Sequence, residues 1–430
     1  MKEKEIIINS KFSKNRKNHI INLLSSKVRY QKKIFGAFLL LIISLNIIII
    51  YLYLKNKKES DKKILNLEKA IKIIKEELEN NLNKTIKYLD FEMDVTNDIK
   101  IEEKQKNING NNFNNITGIE LEEISYKEFD ENILKKYDEL QNEFCNNKKY
   151  YNNEYENKIK IINVDYLDKK FDMYIYNNED IVSNVIKATK GWEKDSTKNI
   201  LNVLQSYSSL KQINKEDIYI LDIGANIGWY TFFLGKYGYK ILSFEPSNFN
   251  IYILRKSYCL NRELKITLIK KGLFTEEKNC DYYISKGNIG DGWIFCDKNP
   301  TIPNHLIKSG EIMITKLSNY VSFLSQKNLA FIKIDVEGAE GKAIESGIEL
   351  IYKYHVPFIF LEFTPNSLKL HGTEPKEFLK IFEQNGYKMS EKDFLSKEYL
   401  SVDDIMLKTH GGILNLYITN SKIIEELSNN

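Results

Sequence analysis

Leu221-Asp222-Ile223-Gly224-Ala225-Asn226-Ile227-Gly228, with Glu245 closing the next apolar run, decides how this chain is read. Ile218–Ile223 is a continuous apolar run of the kind that makes a buried strand. Gly224 through Gly228 supplies a tight turn, and Trp229–Lys236 has the pattern of a helix. Lys240–Phe244 is a second apolar run that leaves Glu245 at its carboxyl end. Strand, glycine turn, helix and strand form a βαβ unit of the nucleoside-binding type.

The details separate two cofactor classes. A dinucleotide site wants a third glycine and helix-terminal amides aimed at a pyrophosphate. Here Gly224 and Gly228 stand without a third glycine, and Asp222 precedes the turn. An acid at that point repels phosphate. It suits a cofactor that has no phosphate and ends in a cationic amino acid, which is the chemistry of S-adenosylmethionine. On this reading Asp222, Gly224, Asn226 and Gly228 face the amino-acid half, and Glu245 accepts the ribose hydroxyls. Lys271-Gly272, after the third strand, borders the adenine. Each residue also has a plainer role: Asp222 can hold the turn through its amides, and Glu245 can cap the helix that follows Pro246.

Upstream, Ile34–Leu54 carries no charge and is fenced by Lys32-Lys33 and by Lys55, Lys57 and Lys58. At ~1.5 Å per residue such a helix crosses roughly 30 Å of hydrocarbon. The tail 1–33 is strongly basic, which places the amino terminus in the cytosol and the bulk of the chain outside it. The expected organisation is therefore a basic tail (1–33), a signal-anchor helix (34–54), a stem (55–92), a spacer (93–159) and a catalytic region (160–430). The implied location is the endomembrane system, endoplasmic reticulum or Golgi, with the carboxyl-terminal region luminal. In the stem, Leu67, Ile71, Ile74, Leu78, Leu82 and Leu89 recur at coiled-coil spacing, consistent with a homodimer or with a lone amphipathic helix. The spacer is dominated by Asn, Glu and Lys with little periodicity, a composition that favours disorder.

The net charge of +4 arises from nearly balanced signs. The basic excess sits around the anchor, and no basic-aromatic stripe points to nucleic acid. Cys145, Cys259, Cys280 and Cys296 form no CxxC pair, so a zinc site is not expected, and no metal is assigned. Cys280 and Cys296 flank a stretch that reads as a β-hairpin. They are equally consistent with a bridge and with two reduced thiols.

From Lys160 onward, short apolar runs alternate with amphipathic helices. That pattern predicts an α/β fold, a mostly parallel seven-stranded sheet with helices on both faces. Strands are expected at Ile218–Ile223, Lys240–Phe244, Ile266–Ile269, Phe331–Asp335, Phe358–Phe363 and Tyr387–Met389. Leu414–Ile418 completes the sheet, running antiparallel. Helices are expected at Trp229–Lys236, Phe249–Leu260, Ala339–Tyr352 and Lys376–Gln384. Such sheets bind ligands beyond the carboxyl ends of their strands. Asp222, Glu245, Asp335 and Glu362 all fall at or near such ends.

The second informative cluster is Phe331-Ile332-Lys333-Ile334-Asp335-Val336-Glu337-Gly338-Ala339-Glu340. Lys333 and Asp335 share a strand face by period two. Glu337 and Glu340 fall where a helix begins and negative charge is favourable. Taken with Asp222–Tyr230, Phe244-Glu245-Pro246 and Leu361-Glu362, this cluster resembles the FkbM-type methyltransferases over roughly residues 190–390. Glu193, after Trp192, is similar to the family's acid upstream of the first strand. One departure is Leu317-Ser318, where the family often has Leu-Asp.

The resemblance implies a class I methyltransferase that uses S-adenosylmethionine and methylates a hydroxyl of a glycan, lipid or small molecule. Asp335 is then the base or acceptor-orienting group, with Glu337, Glu362 and Lys333 around it, and His371 is a second candidate base. Competing readings are a nicotinamide-dependent oxidoreductase, which the missing third glycine opposes, and a catalytically idle membrane-tethered module. The anchor-and-stem layout also suits a glycosyltransferase, but no Asp-x-Asp follows a suitable strand.

Overall fold

The structure, a computed structural model, describes residues 121–429 apart from 122, 179, 297–299 and 411. The basic tail, the apolar span, the stem and the spacer up to residue 120 lie outside the described residues. Among the described residues no helix is long and apolar enough to cross a membrane.

The strands, in chain order, are β1 (Ile159–Tyr166), β2 (Lys169–Tyr176), β3 (Ile218–Ile223), β4 (Lys240–Phe244), β5 (Ile266–Ile269), β6 (Gly272–Leu273) and β7 (Lys278–Ser285). They continue as β8 (Asn288–Phe295), β9 (Leu306–Thr315), β10 (Asn328–Ile334), β11 (Phe358–Phe363), β12 (Tyr387–Ser390) and β13 (Leu414–Asn420). Seven of them make the central sheet in the order β12-β13-β11-β10-β3-β4-β5. β11, β10, β3, β4 and β5 run parallel, and β13 is antiparallel to both its neighbours. The α/β fold expected from the sequence is therefore present, with the antiparallel strand where it was placed.

Period two sorts the strand residues into two cores. Ile218 and Ile220 of β3 join one apolar cluster, while Tyr219, Leu221 and Ile223 join the other. Helices cover both faces because both faces are apolar. Asp222 and Lys333 are paired across β3 and β10, so two charged side chains stand together on an otherwise apolar face.

The folded region reaches further upstream than residue 160. The helix Glu131–Asn146, inside the segment read as spacer, packs on the sheet. Its Gln141 donates from Nε2 to the Ile266 carbonyl (2.9 Å), and its Oε1 accepts from the Leu268 amide (2.6 Å). One side chain thus closes the open edge of β5, where unpaired backbone would otherwise be buried. A disulfide between Cys145 and Cys259 ties this helix to the helix Asn248–Cys259.

Cys280 and Cys296 are also bridged. They link β7 to the residue after β8, in a second sheet of order β6-β9-β7-β8. The hairpin expected between these cysteines is present. The expected helix Ala339–Tyr352 is instead two short helices, Glu340–Glu345 and Glu349–Tyr352. Between them, Ser346 turns its carbonyl to the Ser318 amide (2.9 Å) and its hydroxyl to the Leu317 amide (2.9 Å). The Leu317-Ser318 departure thus packs against a broken helix.

Candidate active site

A cavity of about 220 Å³ opens at the carboxyl ends of the parallel strands. Gly224, Ala225 and Asn226 wall it from β3, Glu245 from β4, and Lys271 and Gly272 from the turn after β5. Asp335 and Glu337 enter from the turn after β10, and Glu362 from β11. The sequence places Glu245, Asp335 and Glu362 at strand ends, and the parallel sheet gathers them at one edge.

Glu245 is 4% exposed. Its Oε2 accepts from the Asn226 amide (2.8 Å) and its Oε1 from the Ser247 amide (2.9 Å). Burial pushes its carboxyl up to about 7, against the pull of those two amides. Asn226 adopts a left-handed backbone (φ 51°), and its Oδ1 is buried without a hydrogen-bond partner.

Asp222 stands differently from the expectation. It is absent from the cavity wall, and its Oδ2 accepts from the Thr231 hydroxyl (2.5 Å), which also meets Ser243 (2.7 Å). Its other oxygen lies 3.8 Å from the Lys333 ammonium. Burial raises the Asp222 carboxyl above the usual range, and Lys333 opposes that rise. Asp222 therefore acts on the site through Lys333 and the turn.

The two motif glycines also have packing reasons. Gly224 (φ 79°) would put a Cβ 1.8 Å from the Asp335 carbonyl oxygen, and Gly228 (φ 94°) would put one 2.5 Å from Leu254. Gly224 lets the first turn approach the Asp335 turn. Gly228, which is not on the cavity wall, lets the helix Trp229–Lys236 seat on its neighbour.

Lys333 is 4% exposed and donates to the Gly224 carbonyl (2.6 Å), with Asp335 Oδ2 at 3.4 Å. Burial pulls its ammonium down, but Asp335 and then Asp222 more than offset this and hold it above the ordinary lysine value. One buried cation thus joins both informative motifs.

Asp335, Glu337 and Glu362 bring carboxylate oxygens within 4.8 Å of one another. Glu337 is held in a left-handed conformation (φ 53°). Burial, then Asp335, pushes the Glu337 carboxyl well up, and burial, then Asp335, pushes Glu362 up to about 9. Like charges this close cannot all ionise without cost, which favours the protonated form at Glu337 and Glu362.

Glu340 lies outside the cavity wall. Its Oε1 accepts from the Val336 amide (3.0 Å) and the Gly338 amide (3.1 Å), so it holds the turn that presents Asp335 and Glu337. His371 is not brought to the cavity either. Its Nε2 faces the Ile294 carbonyl (2.9 Å), its Nδ1 the Ser367 carbonyl (3.0 Å), and its ring stacks on Phe295. Whichever ring nitrogen carries the proton donates to one of these carbonyls, and the ring stands off the cavity wall, so the structure does not bring His371 to the site as a second base. Glu193 accepts from the Tyr230 hydroxyl (2.7 Å) and from Asn415 (2.8 Å), fixed by both flanks of the site.

Asp291 was missed from sequence. It stands on β8 and lines the same cavity as Asp335. Burial raises its carboxyl, and Asp335 adds to the rise. The signal available was an acid between two glycines, Gly290-Asp291-Gly292, inside a strand.

Residues 222–389 match the family described as Methyltransferase FkbM domain. This part of the chain is an FkbM methyltransferase domain. No curated protein matches the chain. Among solved structures, the bifunctional kinase-methyltransferase WbdD is similar at 11% identity and a TM-score of 0.32, over 52% of this chain and 38% of that one. The METTL16 methyltransferase domain is similar at 11% identity and a TM-score of 0.30, over 62% of this chain and 87% of that one. A Pyrococcus abyssi tRNA (uracil-54, C5)-methyltransferase, solved with S-adenosyl-L-homocysteine, is similar at 12% identity and a TM-score of 0.27, over 60% of this chain and 43% of that one. The chain thus spans about two fifths of WbdD.

An FkbM methyltransferase uses S-adenosylmethionine as its methyl donor. The cavity of this FkbM domain fits that molecule on chemical grounds. Its wall carries Glu245, Asp291, Asp335, Glu337 and Glu362. A pyrophosphate would meet this acidic wall with only Lys271 and Lys333 in support, and Lys333 is already paired. The unpartnered Asn226 Oδ1 is an acceptor awaiting a donor, and a sulfonium with hydroxyls and an ammonium supplies both charge and donors.

Proposed function

We propose that this protein transfers the methyl group of S-adenosylmethionine to a hydroxyl oxygen of a glycan, lipid or small molecule. The observation that carries the reading is the meeting of Asp335, Glu337 and Glu362 at one cavity edge, beside the buried Lys333. Glu245 holds the ribose, Asn226 and the Gly224 turn border the amino-acid half, and Lys271-Gly272 borders the adenine. When bound, the donor supplies an electrophilic methyl group with a good leaving group already in place. The protein's tasks are alignment and proton removal. Holding both reactants in line removes up to ~7–11 kcal/mol of barrier in favourable cases.

Asp335 takes the proton of the acceptor hydroxyl. Lys333 keeps Asp335 oriented through the 3.4 Å ion pair. Glu362 and Glu337, with raised carboxyls, hold protons at neutral pH and donate hydrogen bonds to neighbouring hydroxyls of the acceptor. Asp222 keeps Lys333 in place from behind.

The same proposal places the protein on a membrane through residues 34–54, with a stem able to pair two copies and the FkbM domain in the lumen of the endoplasmic reticulum or Golgi. The two disulfides, Cys145–Cys259 and Cys280–Cys296, support an oxidising compartment. A luminal domain needs a supply of cytosolic donor, so protease protection of the domain in sealed microsomes is the test of orientation. For activity, the full-length chain in detergent is titrated with S-adenosylhomocysteine by calorimetry and incubated with methyl-labelled donor and extracted glycans and lipids. Binding with label entering a hydroxyl is expected; absence of binding overturns the donor assignment.

A further inference from the structure

Lys271 is a buried cation that the chemistry above does not use. It is 8% exposed and sits in the turn between β5 and β6, on the cavity wall next to Gly272. Its ammonium points to a segment far upstream in sequence. Nζ donates to the Ile124 carbonyl (3.4 Å) and lies 4.1 Å from the centre of the Tyr126 ring. Burial pulls its ammonium down, while Glu123 and Glu277 pull it up.

The upstream segment is itself anchored. The Phe129 amide donates to the Asn319 carbonyl (2.8 Å), and the Phe129 ring lies 5.1 Å from both Tyr320 and Phe323. The Tyr126 hydroxyl meets those of Tyr137 (3.4 Å) and Tyr320. Tyr137 donates to Glu123, whose other oxygen pairs with Arg255 at 3.4 Å. Tyr320 packs edge-on against Phe244 (4.9 Å), the last residue of β4 and itself on the cavity wall. A cation over an aromatic face in a desolvated setting is attracted by the ring's quadrupole, which favours one side-chain position for Lys271.

We propose that residues 123–129, which lie well upstream of the matched residues 222–389, form a strap that seats Lys271 and so sets the adenine border of the donor pocket. Tyr126 is a positioning residue that acts through Lys271. This rests on the assignment of the cavity to S-adenosylmethionine. It adds that donor affinity depends on a segment outside the family match.

The test uses the full-length chain in detergent, with S-adenosylhomocysteine as the probe in calorimetry. Tyr126→Leu removes the ring beneath the ammonium, and Tyr126→Phe keeps the ring while losing the hydroxyl network. Lys271→Met keeps the stem and removes the charge. Expected are a tenfold or greater rise in Kd for Tyr126→Leu and for Lys271→Met, and a rise under threefold for Tyr126→Phe. The double variant Tyr126→Leu/Lys271→Met is expected to be no weaker than either single one, because both break the same link. In turnover, Tyr126→Leu raises KM for the donor and changes kcat less than twofold. Additive losses in the double variant, or unchanged Kd in the folded Lys271→Met protein, overturn the strap. Should Tyr126→Leu fail to fold, Lys271→Met against Lys271→Arg decides alone, with Arg retaining affinity if the strap holds. Failure of the unaltered protein to bind the probe at all counts against the donor assignment instead.

Discussion

Two ends of one sheet edge carry glutamates of opposite character. At the β4 end, Glu245 accepts from two backbone amides, and burial moves it only to about 7. At the β11 end, Glu362 has Asp335, Glu340 and Glu193 as like-charged neighbours, and it moves to about 9. The residue type is the same, Glu245 buried and Glu362 half-buried. The difference is what surrounds them: amides favour the carboxylate, neighbouring acids favour the carboxylic acid. The amides at one end pull its carboxyl toward the charged form, and the acids at the other push theirs toward the protonated form.

The largest effect expected from that contrast is at Asp335. Asp335→Asn should lower kcat by ~10²–10⁴-fold, the usual range for a positioned base, while S-adenosylhomocysteine affinity changes less than threefold in calorimetry. A loss of affinity equal to the loss of rate would merge the two ends into one binding site.

Next comes Glu245→Ala. Loss of hydrogen bonds to a charged group costs ~1.5–3 kcal/mol, so Kd for the same probe should rise roughly tenfold to 150-fold. With donor at saturation, kcat should fall much less. A variant that binds normally but turns over slowly would put the proton chemistry at the wrong end.

A smaller effect is expected in stability against pH. The folded Glu362 carboxyl lies above its unfolded value, so the folded state holds a proton that the unfolded chain releases. Stability from this group is present below the ordinary glutamate range and is lost as pH rises toward about 9. Glu362→Gln should therefore raise Tm by about 2 °C or more at pH 8 and change it little at pH 4. Equal shifts at both values would show that Glu362 is not under like-charge pressure.

The smallest effect is the cross term. Combining Glu245→Ala with Asp335→Asn should give losses in kcat/KM that add within about 0.5 kcal/mol, as independent sites do. A larger coupling would mean that Lys333, which influences both carboxyls, transmits between the ends.

Much of this was legible in the order of residues. The glycine turn after β3, the acid after β4 and the Lys333–Glu340 run are local patterns, and local patterns survive without tertiary context. The apolar runs that became β3, β4, β5 and β11 needed only hydrophobic periodicity. From sequence His371 stands as a candidate base beside the more ordinary incidental reading, because a lone histidine in a loop looks the same whether its nitrogens are free or engaged. Asp291 was missed because its partners come from other elements. The helix Glu131–Asn146 was read as spacer because Gln141, the residue that closes β5, carries no signal until the sheet edge exists.

By itself the sequence determined the βαβ unit, the strand ends at which acids gather, and the family to which residues 222–389 belong. Those follow from covalent neighbours and from period two, which act along the chain. Only the tertiary structure decided which acids are drawn toward the charged form and which toward the protonated form, that Asp222 meets Lys333 away from the cavity wall, and that the segment from residue 123 packs against Lys271. Those outcomes depend on burial and on charges brought together from distant positions, and the Coulomb energy of a pair is set by its separation in space.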